Sequence, residues 1–477
     1  MADSPVPPPS PPARRPLVFY GYWIVAGALV AQFVFTGTQI SIIGVFLKPM
    51  TEDLGWQRAE FFYPQTLGNF VFAFFGFFIG VYVDRYGARP LMVIGVTVVV
   101  ASLFLVAEVT ELWQWVALRG VFFVLGAVLV GNLVVNVTVA KWFVEKRGRA
   151  IGIAAMGVSL AGVVWPPLMT AFTDEFGWRA GWRFLAILAL LLVIPVAMIM
   201  HRRPEDEGLH PDGKSDKEVA AGGGAIAAAD YANSFNRGEA LRTSALYLVI
   251  VAFGLATVGV GVILTQTIPF LTDEGFSRNT AALMSSSMSL PALISKPIWG
   301  FIIEKVEPRP LAAIGFIFSA VAAIIILLAA KAGAAPPLAV GYVLMGVGFG
   351  GHIPIQEVIW ASYFGRRYLG EVRSVAMPLS IVIGAGAPLA VASYFDRVGN
   401  YDGAFYAISA LWAIAAVLVM LVRQPRKRAP APLAAPTPTP VPSDSEEAAV
   451  LPPLLPQPAA NTPVRALRDY MQGPPRR

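Results

Sequence analysis

No cysteine occurs in the sequence, which excludes disulfides, thiolate metal sites and cysteine nucleophiles. There is no GxxxxGK[ST] run either, so nothing points to ATP as a driving force. Histidine is scarce: of the three, His201 and His210 lie in a charged stretch and only His352 falls within an apolar one. No paired acids, metal-ligand cluster or nucleophile-base set stands out, so the expectation is a protein that is not an enzyme and holds neither cofactor nor metal. Charged residues make up 14% of the chain, against about 25% in ordinary soluble domains.

What fills the chain instead is apolar length. Hydrophobic residues reach 56% of 477, and the mean hydropathy is +0.63. Crossing the hydrocarbon of a bilayer takes about 20 apolar residues. Runs of that kind lie at 20–46, 61–83, 91–109, 113–139, 150–172, 182–200, 244–271, 280–303, 310–330, 337–363, 373–395 and 404–422. The chain therefore reads as an all-α membrane protein of twelve spans. Its organisation is a disordered N-terminal tail (1–17), a six-helix half (18–200), a linker (201–243), a second six-helix half (244–422) and a tail (423–477). The linker breaks the apolar pattern with charge, and its Gly222-Gly223-Gly224 run favours flexibility. The last tail alternates proline, alanine and threonine around an acidic island, a composition expected to stay disordered.

The halves are copies of one another. The cassette Gly80, Asp84, Arg85, Arg89, Pro90 recurs as Gly300, Glu304, Lys305, Arg309, Pro310, each at an offset of 220, and Asp53, Gly55 and Arg58 meet Asp273, Gly275 and Arg278 at the same offset. A doubled unit of this length is a sequence sign of a transporter. Orientation follows from lysine and arginine beside the spans. Seventeen flank the side shared with the N-terminus, Arg147, Arg149, Arg366 and Arg373 among them, against seven on the opposite side. Both termini are therefore expected in the cytoplasm of a multi-pass plasma (inner) membrane protein. The net charge of +6 then reads as a topology signal, with the bilayer and not nucleic acid as the partner.

The cassette at Gly80 to Pro90 resembles the loop between the second and third spans of the major facilitator superfamily, and that at 300–310 its weaker partner. The segments Lys146-Arg147-Gly148-Arg149, Phe176-Gly177-Trp178-Arg179, Arg203-Pro204-Glu205-Asp206 and Tyr363-Phe364-Gly365-Arg366-Arg367 narrow this to the monocarboxylate transporter and oxalate/formate exchanger branch. The resemblance implies a cytoplasmic gate built on Gly80, Asp84, Arg85, Arg89, Glu304, Lys305 and Arg309. It also implies a monomeric secondary transporter of small organic anions that works by proton symport or anion exchange.

Polar groups inside the spans supply the candidate site. Lys296 lies eight residues before Glu304, about 12 Å into the helix, where a cation must face a cavity or a partner. Ser295-Lys296-Pro297 resembles the arginine-proline step that holds the substrate carboxylate in monocarboxylate transporters, here with lysine. Gln266, Asn132, Asn136 and Gln39 are further candidates for substrate contact. His352 is a candidate for the coupling proton or a neutral hydrogen-bonder, and Glu357 for coupling or an ion pair. Arg119 occupies the superfamily's span-four arginine position, with Phe123 where the family has glycine, and fits either a proton-relay modulator or an ion pair. Export of hydrophobic compounds or drugs remains open, as does a membrane sensor that signals through the C-terminal tail.

Overall fold

The computed structural model describes residues 18–425; the predicted N-terminal tail (1–17) and, apart from residues 423–425, the predicted C-terminal tail lie outside that range. Among the described residues the regular structure is entirely helical. Among the described residues nine helices are long and apolar enough to cross a membrane. One of them, Arg147–Ile199, is two spans joined end to end and interrupted at Gly177, whose φ of 80° suits only glycine.

Twelve spans follow in chain order: α1 (Gly21–Leu54), α2 (Tyr63–Tyr86), α3 (Ala88–Val106), α4 (Leu112–Trp142), α5 (147–176), α6 (178–199), α7 (Ser244–Asp273), α8 (Arg278–Ile302), α9 (Pro308–Lys331), α10 (Ala335–Phe364), α11 (Leu369–Ala385 continued by Ala387–Val398) and α12 (Asp402–Leu421). Only α8 and α11 fall short on apolar length. The first carries lysine, serines and two internal prolines, and the second is interrupted at Gly386. Polar, broken spans are the kind that line a pathway instead of lipid.

Local sequence explains the irregularities. Each of α1 and α4 contains a π-helical turn, Gly37–Ser41 and Leu118–Phe122, a geometry that frees backbone groups and concentrates at functional sites. Thr38 adds to the distortion in α1 by donating its hydroxyl to the Val34 carbonyl at 2.8 Å. At Gly131 the backbone of α4 turns extended before a new helix begins at Asn132.

The helices carry the basic flanks on one end of the bundle, named here the basic end, and pair different ions at the far end. There Arg179 meets Asp53 at 2.5 Å, Lys331 pairs with Asp402 and Arg183 with Glu108.

The linker departs from the flexible joint suggested by its glycines. It is built of short helices, Pro204–Glu207 and Ala225–Ala232 among them, tied to loops at the basic end. Asp212 accepts the backbone N–H groups of Val144, Glu145 and Lys146 at 2.9–3.2 Å. Asp230 reaches Arg147 at 3.3 Å, Glu205 reaches Arg366 at 2.6 Å, and the Phe235 amide donates to the Phe364 carbonyl at 2.8 Å. The glycine run occupies one π turn, Val219–Gly223 and its cap. Acids on either side of it find the basic loops before and after, which composition alone does not reveal.

Candidate functional site

At the basic end two glycine pairs bring backbones together. A Cβ on Gly80 of α2 would lie 1.8 Å from the Gly370 carbonyl oxygen of α11, and one on Gly148 of α5 would lie 2.2 Å from that of Gly300 of α8. The pairs are copies, since Gly80 and Gly300 are 220 apart and Gly148 and Gly370 are 222 apart. Beside them sit the two cassette acids. Asp84 accepts the Glu371 amide at the start of α11 at 2.9 Å, and Glu304 accepts the Arg149 amide at the start of α5 at 2.9 Å. A carboxylate on a helix N-terminus is favoured by the unpaired amides and the helix dipole. Each acid also holds a cation, Lys141 to Asp84 at 2.6 Å and Arg149 to Glu304 at 2.8 Å. By contrast, Gly44, Gly162, Gly261 and Gly386 have no atom within 4 Å of where a Cβ would stand. The bundle is closed at its basic end.

Above that closure runs a buried polar chain. The Gln32 amide of α1 donates to Asn136 Oδ1 of α4 at 3.1 Å. Asn136 Nδ2 donates to Glu357 Oε1 of α10 at 3.2 Å, and Arg373 Nη2 of α11 donates to the same oxygen at 2.5 Å. All four residues are at most 4% exposed. Asn136 and Glu357 are 221 apart, so equivalent positions of the two repeats touch each other.

Lys296 is completely buried. Its Nζ donates to Ser159 Oγ of α5 at 2.5 Å and to the Ala292 carbonyl at 3.4 Å, and it stands 5.4 Å from the Phe349 ring centroid. No carboxylate lies within ion-pair distance of it among the described residues. The backbone here is tight as well, because a Cβ on Gly152 would come 2.7 Å from the Lys296 carbonyl. His352 also lies beside Phe349, 6.4 Å between ring centroids, and packs against Phe253 of α7 at 5.4 Å and Phe316 of α9 at 5.8 Å.

Arg119 sits in the π turn of α4 and donates through Nη2 to the Thr38 and Gln39 carbonyls of the α1 π turn, at 2.7 and 3.1 Å. Its guanidinium carbon is 3.7 Å from the Phe123 ring centroid, so the residue that replaces the family's glycine serves as a stacking platform. Asn132 is half-buried and its Oδ1 has no partner; Gln266 is half-buried on α7.

The model of the Major Facilitator Superfamily matches residues 29–372 and 262–471. The chain belongs to the Major Facilitator Superfamily. It is thus a multi-pass membrane protein with the fold of transporters. Solved structures agree on the fold: the proton:xylose symporter XylE superposes with a TM-score of 0.69 at 13% identity, covering 85% of this chain and 96% of that one. The fucose:proton symporter FucP of E. coli gives 0.60 at 12% identity, over 84% of this chain and 100% of that one. Among relatives, an MFS-type transporter of Ophiocordyceps sp. is 25% identical over 88% of this chain and 89% of its own length. An oxalate:formate antiporter of Oxalobacter formigenes is 25% identical over 58% of this chain and 62% of its own length. An agnestins efflux protein of Paecilomyces divaricatus is 34% identical over 31% of this chain and 35% of its own length.

Within this superfamily fold, the gate candidates divide. Gly80, Asp84 and Glu304 join helices of different repeats, whereas Arg85 and Lys305 are exposed and rest against Tyr86 and Phe301. Arg89 reaches Met198 Sδ at 3.3 Å, and Arg309 holds Glu307 and the Val422 carbonyl at the end of α12. Four partners escaped the sequence reading. Arg373, counted there as a flanking cation, is buried inside α11 against Glu357; the acid in the neighbouring span was its signal. Gln32 stood in an apolar run where a lone amide should have drawn notice. Ser159 carries no signal at all, and Lys141 could have been found only as the buried partner of Asp84.

Proposed function

We propose that the chain is a secondary active transporter of small organic anions, monocarboxylates foremost, with Lys296 as the countercharge for the carboxylate. The observation that carries this reading is an ammonium with no exposed surface whose protein partners are all neutral. A cation at that depth costs about 2.5–3.5 kcal/mol on insertion scales, and a hydroxyl, a carbonyl and a ring face leave its charge unmatched. An anionic substrate supplies the missing charge. The oxalate:formate antiporter among the relatives supports the same class.

In this reading the basic end faces the cytoplasm, and the structure is an outward-facing form. The carboxylate takes the Lys296 ammonium from Ser159, which removes a bond between α5 and α8. Helix-end caps at Asp84 and Glu304 and the Asn136–Glu357 bond then break as the two six-helix halves rock about the site. Coupling is to a proton, for which His352 is the proposed carrier, or to a counter-anion. A second reading, export of hydrophobic compounds, is favoured by the efflux protein among the relatives. Proteoliposomes test both. A carboxylate panel under an imposed pH gradient, then under a counter-anion gradient, should show saturable uptake of at least one acid. Transport of neutral hydrophobic compounds with no carboxylate flux would replace the first reading by the second.

A further inference from the structure

Among the described residues Arg119 is the other buried cation without an acid. It is 4% exposed, and among the described residues no carboxylate lies within ion-pair distance of it. Nη2 donates to the Thr38 and Gln39 carbonyls, while the buried Nε has no acceptor. Guanidinium presents a planar fork of donors that matches a carboxylate at two points, and here part of that fork is unused.

The surroundings make a shallow recess, open on one side, lined by Arg119, Gln39, Gln65, Phe61, Phe62 and Trp115. The Trp115 indole N–H is already given to the Phe61 carbonyl at 3.0 Å, so the tryptophan offers its face and not a donor. Two amides stand at the recess with the arginine, and the remaining wall is aromatic and aliphatic. Both backbone segments that hold the arginine are π turns, a device that spends regular helix geometry on placing one side chain.

We infer that Arg119, Gln39 and Gln65 form a second carboxylate site, at the far end of α1, α2 and α4, for an organic monocarboxylate with an apolar or aromatic body. The inference rests on the organic-anion reading and adds to it a site separate from Lys296, one carried by α4 and the other by α8. The site is formed while the basic end is closed, so it is a station at which an anion pauses before reaching Lys296.

Equilibrium binding of labelled benzoate to the purified full chain tests it. Lys296→Ala should still bind benzoate, and Lys296→Ala/Arg119→Gln should bind about tenfold more weakly or not at all; Arg119→Lys, which keeps the charge and loses the fork, should fall between them. Benzamide, the neutral isostere, should compete poorly. Should Arg119→Gln not fold, Arg119→Lys and Gln65→Leu in the Lys296→Ala background carry the comparison, each expected to weaken binding. Benzoate binding that ignores all changes at Arg119 and Gln65, benzamide competing as well as benzoate, or no binding to Lys296→Ala would each overturn the site. If arginine-dependent binding is found but proteoliposomes carry no carboxylate, the transport reading falls and the site stands.

Discussion

Replacing Asn136 by leucine isolates the one bond by which the buried polar chain crosses from α4 to α10. Leucine is close to asparagine in size, so packing changes little, and the Glu357–Arg373 pair at 2.5 Å stays whole because both its members lie on α10 and α11. What is lost is the hydrogen bond from Asn136 Nδ2 to the Glu357 carboxylate at 3.2 Å. Bonds to charged groups contribute about 1.5–3 kcal/mol. That energy acts only when the basic end is closed, because rocking parts the two helices. The closed form should therefore lose weight against the open form by about tenfold to about 150-fold. Loss of Gln32's partner bears on folding instead, since both groups sit among α1 and α4 in either form. The chain contains no cysteine, so Tyr86→Cys and Val306→Cys, at positions 53% and 45% exposed, give a spin-label pair on a clean background. Pulsed dipolar spectroscopy should show a longer distance gaining population in Asn136→Leu. An unchanged distance distribution in a well-folded variant would refute the crossing bond as a lock.

Further outcomes follow from the same geometry. Gly80→Val should open the basic end strongly, because its Cβ would meet the Gly370 carbonyl at 1.8 Å; Gly76→Ala, one turn away with open space around it, should leave the same spin-label distances unchanged. Arg179→Ala breaks an ion pair whose side chains are 38% and 47% exposed, so thermal unfolding should register at most about 1 kcal/mol. If a proton is the coupling ion, His352→Gln should lose accumulation driven by a pH gradient while keeping counter-anion exchange; a full pH-driven gradient in that variant would remove His352 from coupling.

The bundle was legible because its signals are long. Apolar runs, breaker residues such as Gly177 and the 220-residue offset of the cassettes leave few arrangements other than the twelve-span fold. Even α8 and α11, the least apolar spans, were found as apolar runs, at 280–303 and 373–395. The site was legible only where a charge stands out against lipid, as Lys296, Glu357 and Arg119 do. What each charge meets depends on contacts across the repeat axis, and these are fixed by tertiary packing between residues more than a hundred positions apart, such as Lys296 with Ser159. A serine in an apolar run has no pattern of its own. The repeat offset does hold one unread clue, since Asn136 and Glu357 share it, and equivalent positions near a twofold axis must approach each other. The π turn of α1 was invisible because the carbonyls around it are held by residues far along the chain, the Phe33 carbonyl by the Trp165 indole N–H at 3.0 Å and those of Thr38 and Gln39 by Arg119.

The most direct measurement is initial uptake of a labelled monocarboxylate by proteoliposomes holding equal amounts of wild-type or Lys296→Ala chain, with folding of both checked by monodispersity. The wild type should take up the acid saturably. Lys296→Ala should fall to the rate of empty liposomes, because the cation buried between α5 and α8 is gone and Ser159 cannot hold an anion. Equal rates in the two would contradict Lys296 as the substrate's countercharge.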